Sequence, residues 1–242
     1  YLLSDKLDGI SALYVAGTNK LYTRGDGTYG QDISHLIPYL NIPTLPKKAV
    51  IRVELIIRND IFIPYSHSQG GNYENARNMA AGIVNTKQTS LDKKLAKLLH
   101  FVAYEIIEPH MKPSDQFIEM KKWGLIVSPH TLLKKINNDI LLDYYLERKQ
   151  EASYKIDGII VTDDKLHPRN TSGNPPYSFA YKGPTKVANI KVLDVIWNAN
   201  KDGHLYPVLK LKPTRFEDVT IRNVVAHNAK YVVDNKLGVG AK

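Results

Sequence analysis

Apolar and polar residues alternate along ISALYVAG and KLYTRG, two short runs joined by a Gly-Thr-Asn turn, and predict a hairpin that leads into the glycine-rich loop TRGDGTYGQD. The alternation resumes in AVIRVELII (Ala49 to Ile57), where Arg52 and Glu54 interrupt an apolar strand two residues apart and so share one face of a sheet. Helical spacing follows in the alanine-rich NYENARNMAAGIVN (Asn72 to Asn85) and in SLDKKLAKLL (Ser90 to Leu99), with Ser90 as its N-cap. Strand returns in HFVAYEII (His100 to Ile107). SDQFIEMKKWG then predicts a helix from Ser114 closed by Gly124, and NDILLDYYLERKQ another begun near Asn138. KIDGIIVTDD (Lys155 to Asp164) and YSFAYKG read as strands on either side of the loop KLHPRNTSGNPP. Beyond Pro184, VLDVIWNA, HLYPVLKLKP and DVTIRNVV are short strands between turns, without a good helical window, which is the texture of a small β-barrel. The irregular mixture predicts an α+β fold, with a boundary near Val187 to Asn189 that divides residues 1–188 from 189–242.

Composition narrows the picture. A chain of 242 residues with 43% hydrophobic content can bury the core of one large domain with a small appendage. No apolar run approaches the roughly 20 residues that span a bilayer, and no charged-then-apolar leader opens the chain, so no membrane partner is expected. The absence of cysteine excludes disulfides, thiolate nucleophiles and cysteine-ligated zinc, and suits an intracellular protein, cytoplasmic or nuclear. A net charge of +9 suits a polyanionic partner, and +5 of it falls in the 57 residues from Lys186 onward. The chain begins with Tyr rather than Met and stops at LGVGAK, and is expected to be a piece of something longer.

The candidate chemistry starts at Lys6-Leu-Asp-Gly9. Taken alone, this tetrapeptide is a turn signal beside an ordinary surface lysine. Arg52 and Glu54 alone read as a cross-strand ion pair, Tyr104 as a core aromatic with its hydroxyl at the rim, Arg24 and Asp26 as turn decoration, and Lys182 as one surface lysine among many. The joint pattern says more. Lys6-Leu-Asp-Gly9 is followed in order by Thr23-Arg-Gly-Asp-Gly27, Arg52-Val-Glu54, Asn75-Ala-Arg-Asn-Met-Ala-Ala-Gly82, Tyr104, Ile156-Asp-Gly158 and Tyr181-Lys182. In that series the chain resembles the adenylation domain of NAD-dependent DNA ligases over nearly its whole length, and Lys121-Lys-Trp-Gly-Leu125 and His227-Asn228 resemble it too.

The resemblance implies a nucleotidyltransferase (ATP-grasp-like ligase) domain of antiparallel sheets with packed helices, followed by a partial OB-fold β-barrel. It implies Lys6 as the adenylated nucleophile, Tyr104 stacked on adenine, Glu54 near the ribose, and Lys182 gripping the α-phosphate. Asp157, with Glu54, is the expected Mg²⁺ ligand. Arg24, Asp26 and Arg77 match positions around the nucleotide and the nick, and Arg77, Lys201 and His227 are the expected DNA contacts. The bottom-up chemistry agrees, because such an enzyme needs a neutral lysine amine, and cationic neighbours both favour that form and cover charge on the phosphoryl oxygens. The implied reaction takes AMP from NAD onto Lys6, moves it to the 5′-phosphate of nicked duplex DNA, and seals the strand; a monomer is expected. A small helical domain that binds the nicotinamide mononucleotide half is expected before Tyr1, and further barrel strands, a four-cysteine zinc module and helix-hairpin-helix repeats after Lys242.

Three residues depart from the family pattern. Ser4 stands where a glutamate two residues before the nucleophile recognises adenine, Thr162 replaces a lysine four residues beyond Gly158, and Val53 replaces a glycine, adding bulk where the nucleotide is expected to approach the backbone. Lys165 and Arg169, in the following loop, are the candidates to supply the missing cation. Two alternatives remain at this point: another covalent nucleotidyltransferase, such as an ATP-dependent ligase or a capping enzyme, against which the glycine-rich signatures argue, and a catalytically weakened nick-binding module. The frequent Lys, Asn, Ile and Tyr suit an AT-rich genome such as that of a large DNA virus.

Overall fold

Leucines at the head of the chain fix the first strand, β1 (Leu2–Leu7), which buries Leu2 in one hydrophobic cluster and Leu3 in another, as side chains of opposite parity must. The computed structural model describes residues 1–25, 29–67, 73–169, 173–184, 187–216 and 219–242. After β1 come β2 (Ile10–Val15), β3 (Lys20–Thr23), β4 (Val50–Ile56), α1 (Asn59–Ser66), α2 (Ala76–Asn85) and α3 (Lys93–Ala96). The order continues with β5 (His100–Glu108), α4 (Pro113–Lys122), β6 (Ile126–Val127), β7 (His130–Leu132), α5 (Asn138–Glu151), β8 (Ile156–Thr162) and β9 (Ser178–Tyr181). Then follow β10 (Val192–Ala199), β11 (Leu205–Phe216), β12 (Val219–Val225) and α6 (Ala229–Asp234).

The chain divides into two compact units, Tyr1–Pro184 and Thr185–Lys242. The first holds two sheets, ordered β7-β1-β8-β9 and β3-β2-β4-β5-β6. Its main core lies on the five-stranded sheet, where Ile51, Val53, Leu55 and Phe101 meet Met79 and Ile83 of α2 and Phe117 and Met120 of α4. A second cluster, Leu3, Ile159 and Val161 with Leu141 and Tyr145 of α5, covers one face of the four-stranded sheet and leaves its other face free for a site. The unit Thr185–Lys242 is a three-stranded antiparallel meander, β10-β11-β12, with a small core of Val192, Leu209, Leu211 and Ala226 and the short helix α6. Among the described residues, no helix is long and apolar enough to cross a membrane.

Several expectations are corrected. The sheets are not wholly antiparallel, because β6 pairs in parallel with β5 through Val102↔Ile126 and Ala103↔Val127. The helix expected from Ser90 to Leu99 is a 3₁₀ turn at Gln88–Ser90 followed by the single-turn α3, with Asp92 rather than Ser90 as the side-chain cap. α2 starts at Ala76, after Tyr73, Glu74 and Asn75 of the expected run, because the Asn75 side chain accepts from the Asn78 N–H at 2.8 Å and sets the start there; Asn72 lies outside the described residues. α1 and α6 were not foreseen; α6 is capped by Asn228, which accepts from Tyr231 N–H at 2.9 Å.

Gly9 and Gly158, in the motifs around Lys6 and Asp157, are set by close backbone approach. A Cβ on Gly9 would lie 2.6 Å from the Leu55 carbonyl oxygen, and one on Gly158 would lie 2.5 Å from that of Tyr181. Gly158→Ala is therefore expected to push β8 off β9 and destabilise the protein by about 1–3 kcal/mol. Urea denaturation measures this; an unchanged midpoint would contradict the close approach.

Candidate active site

The free face of the four-stranded sheet and a face of the five-stranded one, through β2, β4 and β5, enclose a cleft of about 740 Å³. Alternation along β1 turns Leu2, Ser4 and Lys6 toward it, and β8 lays Thr162, Ile160 and Gly158 opposite them in antiparallel register. Lys6 Nζ donates to Asp157 Oδ1 at 2.6 Å, and Lys182 Nζ lies 3.3 Å from Asp157 Oδ2, so one carboxylate takes an ammonium on each oxygen. Lys6 and Asp157 are each about a third exposed (31% and 32%), which leaves the amine within reach of a ligand. The sequence-expected trio Lys6, Asp157 and Lys182 is thus assembled, with Asp157 and Lys182 joined to the cleft through Lys6.

Glu54 comes from β4, where it is paired with Ser11 of β2 and Val102 of β5. It is buried, accepts the Gly9 N–H at 3.1 Å, and burial pushes its carboxyl up to about 7, with Gly9, Arg77 and Lys6 pulling the other way. Arg77, on the first turn of α2, donates to Asp8 at 2.8 Å, which holds it over the Lys6-Leu-Asp-Gly9 segment. The Arg24 N–H donates to the Ser11 carbonyl at 3.2 Å, and Arg24 lines the cleft. Tyr104 lines it too; its hydroxyl shares a 2.6 Å hydrogen bond with Ser11 Oγ, and burial, reinforced by Glu54, pushes the phenol up to about 12, so it stays neutral. Asp26 lies outside the described residues.

Arg52 does not pair with Glu54. It reaches across to Glu105, its register partner on β5, at 2.9 Å, while Glu54 turns inward. Val53 does not crowd the cleft either: it is fully buried in the core, between Ala12 and Ala103 on the flanking strands, whose small side chains leave room for it. Thr162 Oγ1 is bonded to Ser178 Oγ at 2.8 Å, and Lys165 and Arg169 both line the cleft, Arg169 donating to the Ile107 carbonyl at 3.2 Å.

Sequence reasoning passed over Ser11, Asp8 and Ser178, which hold Tyr104, Arg77 and Thr162. It also missed Arg148, which grips Asp5 through two bonds of 2.9 Å on the covered face of the sheet. Asp8 was legible inside the Lys6-Leu-Asp-Gly9 motif; nothing local marks Arg148. Lys201 and His227 lie in the other unit. Lys201 sits in the β10–β11 turn, where the Asn200 side chain accepts from the N–H groups of Asp202 and His204 and Gly203 takes φ +80°; His227, at φ +40°, meets Tyr231 edge-on at 5.0 Å. Both are exposed.

No group of three or more His, Asp or Glu among the described residues is placed to hold a metal. Mg²⁺, however, is commonly held by one or two carboxylates together with substrate phosphates and water, and Asp157, part-exposed beside Lys6, fits that pattern better than buried Glu54.

The raised Glu54 carboxyl has a measurable consequence. Its folded-state value of about 7 lies above the ordinary 4.5, so the folded protein holds this proton more tightly than the unfolded chain. That stability is complete below pH 4.5 and lost as pH rises through 7, in all about 3 kcal/mol. Glu54→Gln should lack this slope, so denaturant melts at pH 4.5 and pH 8 should show the wild type losing about 3 kcal/mol more than the variant. Parallel losses would mean that Glu54 is not buried as described.

The family model of the NAD-dependent DNA ligase adenylation domain matches residues 1–186. The DNA ligase of Acanthamoeba polyphaga mimivirus is 46% identical over 248 aligned positions, covering 100% of this chain and 38% of that protein. A protein of Invertebrate iridescent virus 6 is 31% identical over 254 positions, covering 100% of this chain and 41% of its own length. The DNA ligase of Thermotoga petrophila is 28% identical over 264 positions, with 99% and 38% covered. The chain spans about two fifths of the length of these relatives. With the family model covering residues 1–186 and the Lys6–Asp157–Lys182 group lying inside that span, the chain belongs to the NAD-dependent DNA ligase adenylation domain family.

Proposed function

We propose that this chain is the catalytic core of a DNA ligase that forms a lysyl-AMP intermediate from NAD and seals nicks in duplex DNA. The observation that carries this reading is the part-exposed Lys6 amine at the head of a nucleotide-sized cleft, bonded at 2.6 Å to a carboxylate that a second ammonium flanks. Asp157 is positioned to take the Lys6 proton as the amine becomes nucleophilic. The nitrogen then bonds the α-phosphorus of NAD, the bond to the nicotinamide mononucleotide phosphate breaks, and Lys182, released from Asp157, covers the α-phosphoryl oxygens. Arg77 and Arg24 stand on the same rim, Glu54 faces the ribose and Tyr104 the base. Transfer of AMP to the 5′-phosphate of the nick frees Lys6, and attack by the 3′-hydroxyl expels AMP and joins the strand.

Mg²⁺ would be held through Asp157 and substrate phosphates and would supply charge neutralisation to these phosphoryl transfers. The unit Thr185–Lys242 we read as the start of an OB-fold barrel, whose basic residues, Lys201 among them, contact duplex phosphates without reading sequence. The test is to incubate the natural full-length protein with NAD, ATP or GTP, each labelled in its α-phosphoryl group. Label is expected on the protein from NAD alone. Label from ATP or GTP would replace the reading with another covalent nucleotidyltransferase, and nick binding without any label would replace it with a binding module.

A further inference from the structure

Ser4 lines the cleft and is 8% exposed, and its hydroxyl has no hydrogen-bond partner among the described residues; no buried side-chain nitrogen or oxygen there lacks a partner, so this oxygen is open to the cleft. We infer that Ser4 Oγ, with the Thr162–Ser178 hydroxyl pair, reads the edge of a purine base without selecting between a 6-amino and a 6-oxo group, so that the cleft accepts adenine and hypoxanthine nucleotides alike. This rests on the reading of the cleft as a nucleotide site.

The register of the sheet locates the base. Lys6, Ser4 and Leu2 are successive steps of about 7 Å along one face of β1, opposite Gly158, Ile160 and Thr162. The charged groups, Glu54, Arg77 and Asp157, gather at the Lys6 step. The next steps are apolar: Leu2 and Ile160 form the floor, and Phe117 closes the side, its ring 4.1 Å from that of His130, the register partner of Ser4 on β7. A mononucleotide held at Lys6 by its phosphorus lays its base over this apolar floor.

The polar readers left at that floor are hydroxyls. A carboxylate only accepts and an ammonium only donates, so either would choose between an amino and an oxo substituent; a hydroxyl rotates to do both. Ser4 Oγ is free to do so, and in the Thr162–Ser178 pair either oxygen can be the donor. The charged groups on the neighbouring wall have partners of their own: His167 is stacked on Tyr177 and bonded to Asp163 at 2.9 Å, Lys165 lies 3.7 Å from Asp163, and Arg169 donates to the Ile107 carbonyl.

The test measures dissociation constants of AMP and IMP by calorimetry for the full-length wild type, Ser4→Ala and Thr162→Val, both small enough changes to keep the fold, with thermal melts as a check. Labelling from NAD and from its hypoxanthine analogue follows on the same preparations. AMP and IMP should bind the wild type within about tenfold of each other, and each variant should weaken both by about tenfold with their ratio unchanged. IMP binding a hundredfold weaker than AMP, or variants that bind both as the wild type does, would overturn the inference. Equal AMP and IMP binding with no label from either dinucleotide would instead sink the ligase reading and leave the base site standing.

Discussion

Lys6→Ala should abolish covalent AMP labelling from NAD, while affinity for nicked duplex DNA stays within about threefold, because phosphate contacts spread over the surface dominate that affinity. The stronger control is Lys6→Arg. A guanidinium keeps the charge and can keep the bond to Asp157, but it is permanently protonated and has no lone pair to offer phosphorus. Both variants should therefore be equally dead, although only the alanine loses the ion pair at 2.6 Å. Labelled protein in either variant would mean that another nucleophile takes the AMP, and the central proposal would fall.

Arg148→Ala is expected to produce the largest loss of stability, about 3–5 kcal/mol. The Asp5 side chain is 1% exposed and Arg148 15%, and the guanidinium meets both carboxylate oxygens at 2.9 Å. Removing the arginine strands a buried carboxylate, which costs far more than the pair itself contributes. Replacing both members by apolar residues, as in Asp5→Leu with Arg148→Met, should recover most of the loss. Urea denaturation of the single and double variants decides the matter: a single-variant loss below about 1 kcal/mol would show the pair to be dispensable.

Much of this architecture was legible where side chains repeat with a period. The alternation in AVIRVELII located β4 to within a residue, the alanines of NARNMAAGIVN marked the body and end of α2, and the start near Asn138 is that of α5. Elements too short to repeat were not legible. α1 and α6 have eight and six residues, β6 and β7 two and three, and their existence depends on neighbours supplied by distant segments. The run SLDKKLAKLL misled because its spacing is helical, yet the chain must turn at Leu98–Leu99 to start β5 at His100, and that tertiary demand outweighs local preference.

The site divides in the same way. Lys6, Glu54, Tyr104, Asp157 and Lys182 carried their own signal through motif order. The outward turn of Arg52 toward Glu105 and the inward turn of Val53 follow from the pleat of β4 against two neighbours, which no single segment encodes. Arg148 is 143 residues from Asp5, and only the packing of α5 against the sheet brings them together.

That last pair also guards the register of the strand that carries Lys6. Because successive side chains of β1 point to opposite faces, a slip of one residue would present Asp5 to the cleft and bury Lys6 under α5, exchanging an amine for a carboxylate at the cleft. Asp5 fits the covered face only where a guanidinium waits for it. A misregistered chain would leave Arg148 facing an ammonium, two like charges away from water, so the strand has one alignment in which both faces are electrically satisfied, and in that alignment Lys6 faces the cleft.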